Sequence, residues 1–423
     1  MLAYMRLENF RAFREAEIHF APLTVLIGAN STGKSSILHA LVLLKQSLRG
    51  GDYRVPLTFG GPLIDLGGVR NVLWQGQRQL GFCLEWDNGA GLKFQVEPRR
   101  KVGLSVRRES FSYQWGGEQY PLLEEGIQGT PVITPWYFSF EVSFEIRIED
   151  LPKPPASPDE LKKLIAPLQE RTRASREVNA TLSSFLDRLR YIGPLRQVHR
   201  EVTISEEKPE SVGPDARYLI PFLRNRSDVV ERINQWLAER DLASRVEVRE
   251  TSRGSGRWAV YLYEQEGSRP INLADTGFGY SQLIPVLAEL YGAPEGSLIL
   301  VEQPELHLNP RLAVWIGDAL ISAIEQGKTV LVETHSEHIV LRLRRRIAEG
   351  MLSPKQVALY FVHREGGQSH LTRIDLDEMG QPVEEWPRDF WGEDYEEALH
   401  LAKAMARKFR SLRGGAEDEM DRD

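Results

Sequence analysis

The sequence contains one cysteine, Cys83, which excludes an internal disulfide framework and a cysteine-rich metal site. It has no apolar run of the roughly 18 residues a membrane-spanning helix needs, so no membrane partner is expected. It also lacks an excess of positive charge. The 53 Lys and Arg residues stand against 60 Asp and Glu, a formal net charge of −7. That excludes a generally basic nucleic-acid coat but leaves room for a local basic groove. No internal repeat is evident. Met1 to Arg6 lead straight into a strand-like pattern without the features of a secretory leader, and a cytoplasmic protein is the expectation.

What is present is ordinary globular composition: 423 residues, 41% hydrophobic and 27% charged. This allows two or three domains with a large core and excludes disordered or collagenous classes. Residues 5–10 and 16–20 alternate apolar and polar, as half-buried strands do. Leu23 to Ile27 is continuously apolar, as in a strand buried on both faces. Ser36 to Leu48 carries Ile37, Leu38, Leu41, Leu44 and Leu48 at helical spacing. Between about 71 and 149 strands dominate, ending in the period-two run Phe138, Phe140, Val142, Phe144, Ile146, Ile148. Leu151 to Pro158 reads as a linker. Ser157, Pro158 and Glu160 then open a helix reaching about Arg190, with a break expected near Pro167. A helix over 226–243 and strands over Val246–Glu250 and Trp258–Glu264 follow. The last 130 residues return to buried strands alternating with helices.

Four motifs carry chemistry. Gly28-Ala29-Asn30-Ser31-Thr32-Gly33-Lys34-Ser35, followed by Ser36, fits G-x-x-x-x-G-K-[ST] between a buried strand and an amphipathic helix. Its glycines permit a tight loop whose N–H groups point at phosphate, and the helix start adds partial positive charge. Lys34 is placed to reach the β- and γ-phosphates of ATP, and the Ser35 hydroxyl to ligate Mg²⁺. Ser297 to Glu302 is a buried strand ending in an acid, with Gln303, Pro304 and Glu305 after it. Glu302 is the candidate Mg²⁺ carboxylate of a Walker B strand. Thr329 to Ser336 forms the next strand, with His335 at its end placed to sense a γ-phosphate. Gly277, Gly279 and Ser281 open a further helix, where exposed N–H groups suit phosphate.

In this order the motifs resemble the ABC-type ATPase heads of the SMC, RecF and OLD group, most closely an OLD-like bacterial AAA family ATPase without a Toprim nuclease domain. Arg6 to Phe13, the P-loop, the signature segment Gly277 to Gln282, the Walker B and D-loop stretch Glu302 to Pro310 and the H-loop Thr334-His335-Ser336 carry the resemblance. The segment from Ile374 through Trp391 is similar to the end of one subgroup. The resemblance implies an α/β fold: a P-loop ABC-type head with an antiparallel β lobe and an inserted helical region. Residues 1–150 would hold the P-loop unit and β lobe, and 151–245 a helical insertion. Residues 246–376 would form the second ATPase half, and 377–423 a C-terminal helical tail. It further implies a homodimer with ATP at the interface, Gly279 and Ser281 acting on the partner's nucleotide. DNA, or a separate effector or nuclease protein, would be the partner, in genome maintenance or phage defence. Glu302, Gln303, Glu305 and His335 are the implied chemical residues. Glu302 stands where most ABC proteins carry Asp. Gln303 stands at the usual catalytic Glu, so slow hydrolysis is expected, with non-hydrolysing ATP binding as the alternative. No clear Q-loop glutamine is found; Gln75 and Gln77 are the options.

Two further features have competing readings. Asp375 and Asp377 resemble a nuclease metal pair, but the stretch after Asp377 is short for a Toprim domain. A hairpin over 356–376 turning at Glu365 to Gln368 is the expectation. Arg342, Arg344, Arg345 and Arg346, and the pairs around Arg99–Lys101 and Arg107–Arg108, could track DNA phosphates or line a solvated face. Tyr113, Trp115 and Tyr120 read as strand core rather than stacking platforms.

Overall fold

The alternating pattern of the first twenty residues produces a hairpin. In the computed structural model, β1 (Leu2–Phe10) and β2 (Phe13–His19) pair antiparallel, Met5 opposite Ile18 and Leu7 opposite Ala16. The structure describes residues 1–49, 57–99, 103–106, 111–121, 130–136, 139–145, 157–203, 208–387, 390 and 405. The uniformly apolar β3 (Leu23–Ile27) is buried throughout. It feeds the P-loop and α1 (Lys34–Arg49). After the short α2 (Val69–Val72) come β4 (Leu80–Trp86), β5 (Gly91–Arg99), β6 (Gly103–Val106), β7 (Ser112–Trp115) and β8 (Glu118–Pro121). They extend the first hairpin into an antiparallel lobe ordered β2-β1-β4-β5-β7-β8, with β6 beside β5. Tyr113 is buried there and stacks on Tyr120, and Trp115 packs on the same core, so these aromatics are core. β9 (Thr130–Trp136) and β10 (Ser139–Glu145) form a separate antiparallel pair. The second strand carries part of the period-two run; Phe138, Ile146 and Ile148 lie outside the described residues.

α3 (Pro158–Arg188) starts as expected, Ser157 Oγ accepting from the Glu160 N–H at 3.3 Å. It is not broken at Pro167. A helix-interior proline removes one hydrogen bond and frees the carbonyl four residues back. Here Pro167 and Lys163 are both exposed, so that carbonyl is left to water. β11 (Arg190–Ile192) follows, then β12 (Val202–Thr203), α4 (Leu219–Arg224), α5 (Ser227–Ala238), β13 (Arg245–Glu250), β14 (Arg257–Tyr263) and β15 (Ile271–Asn272). The last four strands named form a small antiparallel sheet centred on β14.

The chain then alternates α6 (Phe278–Gly292), β16 (Leu298–Glu302), α7 (Pro310–Glu325), β17 (Thr329–Thr334) and α8 (Glu337–Ala348), and closes with the hairpin β18 (Val357–Glu365) and β19 (Gln368–Ile374). The central sheet runs β11-β16-β17-β3-β18-β19. Its first five strands are parallel and only β19 is antiparallel. Period-two burial divides the strands between two cores. Val25, Ile299, Val301, Val330 and Val332 join the core under α6 to α8. Leu26, Leu298, Leu300 and Leu331 join the core that α1 and the antiparallel lobe share. α1 thus lies between two sheets, which fixes the direction in which the P-loop opens. Among the described residues no helix is long and apolar enough to cross a membrane.

Candidate nucleotide site

In an open parallel sheet, ligands bind beyond the carboxyl ends of the strands. Here β3 delivers the P-loop, β16 delivers Glu302, and β17 delivers Glu333, Thr334 and His335, all at that edge. The loop needs its glycines. A Cβ on Gly28 would come within 2.1 Å of the Val362 carbonyl oxygen. Gly33 has φ +103° and would meet Ala12 Cβ at 2.7 Å. Ser31 also takes positive φ, 61°. Thr32 Oγ1 donates to the Ala29 carbonyl at 3.0 Å, and the Ser36 N–H donates to Gly33, pinning both ends of the turn. Asn30 and Ser31 are exposed at its tip.

Lys34 Nζ donates to the carbonyls of Gly28 and Ala29 at 2.9 and 2.7 Å. Burial lowers its pKa, while Glu333 first and Glu305 second raise it. The Ser35 hydroxyl pulls the Glu333 pKa down. Burial and then the charge of Glu302 outweigh this and push Glu333 up to about 7. Glu305 Oε1 accepts from the His335 N–H at 2.7 Å, and burial raises its pKa. The His335 imidazole pKa is lowered by burial first and by Lys34 second. A second oxygen on each of Glu305 and Glu333 is buried without a hydrogen-bond partner.

Glu302 faces inward. Its Oε1 accepts from Tyr191 Oη at 2.8 Å and lies 2.8 Å from His39 Nε2. Arg11 NH1 sits 2.8 Å from His39 Nδ1. Arginine can only donate, so Nδ1 accepts and the ring proton on Nε2 points at Glu302. Tyr191, buried beside Glu302, is held protonated by a raised pKa. Gln303 takes φ 43°, and its N–H donates to the Glu333 carbonyl at 2.8 Å. This left-handed turn ends the strand and is costly for a side chain other than glycine or asparagine. Asn309 and Pro310, the end of the expected D-loop, cap α7, Asn309 Oδ1 accepting from the Leu312 N–H at 3.0 Å.

Arg196 links the expected signature segment to this edge. Gly277 caps α6, Gly279 and Ser281 lie in its first turn, and Gly277 is exposed. Gln282 Nε2 donates to the Arg196 carbonyl at 2.8 Å. The Arg196 guanidinium donates to the carbonyls of Glu302 and Gln303. Burial lowers its pKa to about 10, so it remains charged at neutral pH.

The structure therefore brings Lys34, Ser35, Glu302, Glu305 and His335 to one edge. It adds Glu333, His39, Tyr191, Arg11 and Arg196, which the sequence reading did not select. Glu333 left a sequence signal, an acid directly after the apolar run Val330 to Val332 and just before Thr334, and Arg11 lies in the quoted Arg6 to Phe13 stretch. His39, Tyr191 and Arg196 are placed by long-range packing. Gln75 and Gln77 are exposed at a 3₁₀ turn (Trp74–Gly76) beside the lobe. Among the described residues no cluster of three or more His, Cys, Asp or Glu side chains is arranged to hold a metal alone. Mg²⁺ takes one or two protein oxygens and completes its shell with water and phosphate. Ser35 and the partnerless oxygen of Glu333 provide such a hard-oxygen set.

The competing features resolve differently. Asp375 accepts from Arg373, and Asp377 accepts the N–H groups of Met379 and Gln381 in a turn, as expected of the β18–β19 region. Arg342 and Arg346 both donate to Asp318, Arg345 to Glu349, and Arg344 to Gly380 and Gln381. Arg342 and Arg346 are thus engaged with the sheltered Asp318, whereas Arg345 is 65% exposed in its surface pair with Glu349. Arg100, Lys101, Arg107 and Arg108 lie outside the described residues.

A family model described as an AAA ATPase domain matches residues 1–65. A second, described as "AAA domain, putative AbiEii toxin, Type IV TA system", matches residues 134–341. No curated protein matches. Among solved structures, an SMC head bound to the C-terminal winged-helix domain of ScpA is 13% identical, TM-score 0.44, over 89% of this chain and 98% of that one. The SMC head domain from Thermotoga maritima is 13% identical, TM-score 0.40, over 89% and 99%. An Smc head with an extended coiled coil bound to the C-terminal domain of ScpA, from Pyrococcus furiosus, is 9% identical, TM-score 0.45, over 96% and 99%. The strand order and the P-loop are those of a P-loop ATPase fold, and the two matched models are both of AAA ATPase-type domains.

Proposed function

We propose that the chain binds MgATP in the Gly28–Ser35 loop and works as a slowly hydrolysing, ATP-gated dimeric switch. The observation that carries this is the convergence of Lys34, Ser35, Glu305, Glu333 and His335 at the carboxyl edge of three adjacent parallel strands and their loops. Lys34 neutralises phosphate charge, and the loop N–H groups orient the phosphates. Mg²⁺ bound beside Ser35 would neutralise charge developing between the β- and γ-phosphates. Glu305 fixes the backbone of His335, so that its ring keeps a set position at the phosphate end.

Gly277, Gly279 and Ser281 are on a different helix and would act on the nucleotide of a second copy, giving a closed two-fold pair with ATP in both sites. ATP then favours the closed pair because it adds contacts made only there. Asp318 ties up Arg342 and Arg346 of the basic run, and the partner is either DNA or a separate effector protein.

A second reading, an ATP-holding protein that scarcely turns over, is favoured by Gln303, an amide that can orient water but is a poor base. Equilibrium MgATP binding measured alongside single-turnover hydrolysis tests both. Binding with measurable slow hydrolysis supports the switch, binding without hydrolysis supports the second reading, and absence of binding contradicts both.

A further inference from the structure

We propose that Glu333, in place of Glu302, is the carboxylate that faces the divalent cation beside Ser35. This rests on the MgATP reading above.

The first ground is register. The sheet order places β17 directly beside β3 and β16 one strand further out. Thr334 pairs with Ile27, the residue before the P-loop, and Glu333 pairs with Leu26. Glu302 pairs with Glu333 and touches β3 only across it. Neighbouring strands lie about 4.8 Å apart, so Glu333 starts one strand spacing nearer the phosphate loop.

Commitment of the two carboxylates is the second ground. Glu302 Oε1 is shared between Tyr191 and His39, both at 2.8 Å. These partners hold it toward the core behind α1. Glu333 has no such pair. It stands on the strand that pairs directly with β3, in register with Leu26.

The third ground is the cost of what is left. Glu333 is 3% exposed, and its Oε2 has no hydrogen-bond partner. A buried carboxylate oxygen without a partner is unfavourable unless a cation or a donor meets it. A hard dication with oxygen ligands, next to a P-loop serine, meets that need. The arrangement gives β17 a role beyond carrying His335: the two ends of one strand-to-helix turn would read the metal and the γ-phosphate together.

The test is ATP affinity by calorimetry, with Mg²⁺ and with chelator, in the wild type, Glu333→Gln, Glu302→Gln and Lys34→Ala. Melting curves confirm that each variant folds. Mg²⁺ is expected to tighten ATP binding to the wild type, and Glu333→Gln should lose about 10- to 100-fold of that gain, the range seen when the support of a metal site is removed. Affinity for metal-free ATP should be unchanged or better, because a negative charge has gone. Glu302→Gln should lose less of the gain and should melt lower, since the carboxylate charge that His39 and Tyr191 meet is replaced by a neutral amide. A Glu302→Gln loss as large as that of Glu333→Gln, or a full Mg²⁺ gain in Glu333→Gln, overturns the assignment. If Glu333→Gln does not fold, Glu333→Asp replaces it. Drawing the carboxylate back should weaken the Mg²⁺ gain, and an unchanged gain overturns the proposal. Lys34→Ala separates the two levels. Loss of ATP with and without metal leaves the P-loop reading standing, whatever Glu333 does. Normal ATP binding by Lys34→Ala sinks that reading instead.

Discussion

Gln282 and Arg196 are joined by a buried hydrogen bond, the Gln282 amide donating to the Arg196 carbonyl at 2.8 Å. Arg196 in turn donates to the carbonyls of Glu302 and Gln303. The start of α6 is thereby tied to the turn at Glu302 and Gln303. Gln282→Leu should cut this tie while leaving the P-loop intact. ATP affinity of the single subunit should change less than twofold or so, whereas single-turnover hydrolysis should fall by about tenfold, the cost of one buried hydrogen bond of roughly 1.4 kcal/mol. Equal losses in affinity and rate would show that the tie only supports folding.

Ser281→Arg tests closure. Ser281 lies in the first turn of α6, two residues beyond Gly279. A bulky side chain there should block the approach of a second copy's nucleotide and leave ATP binding by one subunit intact. Light scattering with ATP should report a dimer for the wild type and a monomer for the variant. A variant that dimerises with ATP as the wild type does would remove the signature segment from the interface.

The acid cluster should make nucleotide-free stability depend on pH. Burial and Glu302 raise the Glu333 pKa from 4.5 to about 7 in the folded chain. Between these values the folded state binds the proton and the unfolded state does not. The contribution to stability is therefore complete below the unfolded value and is lost as pH rises through the folded one. The melting temperature of the wild type, relative to Glu333→Gln, should fall between about pH 5 and pH 8. A difference that stays flat over that window would mean that Glu333 is not protonated near neutrality.

Gln303→Glu tests the chemical step. Position 303 follows the Walker B strand, and a carboxylate there could take the proton of an attacking water. Hydrolysis in a single turnover should rise by about 10²- to 10⁴-fold, the usual reach of general-base catalysis. An unchanged rate would place the limiting base elsewhere, with Glu305 the next residue to replace.

How much of this was legible in the sequence depends on the distance over which each feature is fixed. The P-loop, β3, the Walker B strand and the β18–β19 hairpin are set by neighbours in the chain, and the residue pattern carries them. The inward partners of Glu302 are not local. Tyr191 is 111 positions from Glu302, and the sequence offers no sign that His39, on the P-loop helix, turns toward it. The basic run at Arg342 to Arg346 looks like a phosphate track until Asp318, 24 positions from Arg342, is folded against it. Pro167 looked like a break because proline removes a helix bond, yet the exposed face of α3 leaves the freed carbonyl to solvent. Glu333 was readable as an acid in an apolar strand. Its partner Ser35 became evident only when β17 was found beside β3.

The most direct measurement is calorimetric titration of MgATP into the wild type and Lys34→Ala. Lys34 is the one lysine bonded to the loop carbonyls of Gly28 and Ala29 among the described residues. In the proposed reading its amine is the fixed cation for the phosphates. Saturable binding by the wild type, with no detectable binding by a folded Lys34→Ala, is the expected result. Equal affinity in the two proteins would contradict the assignment of this loop as the nucleotide site.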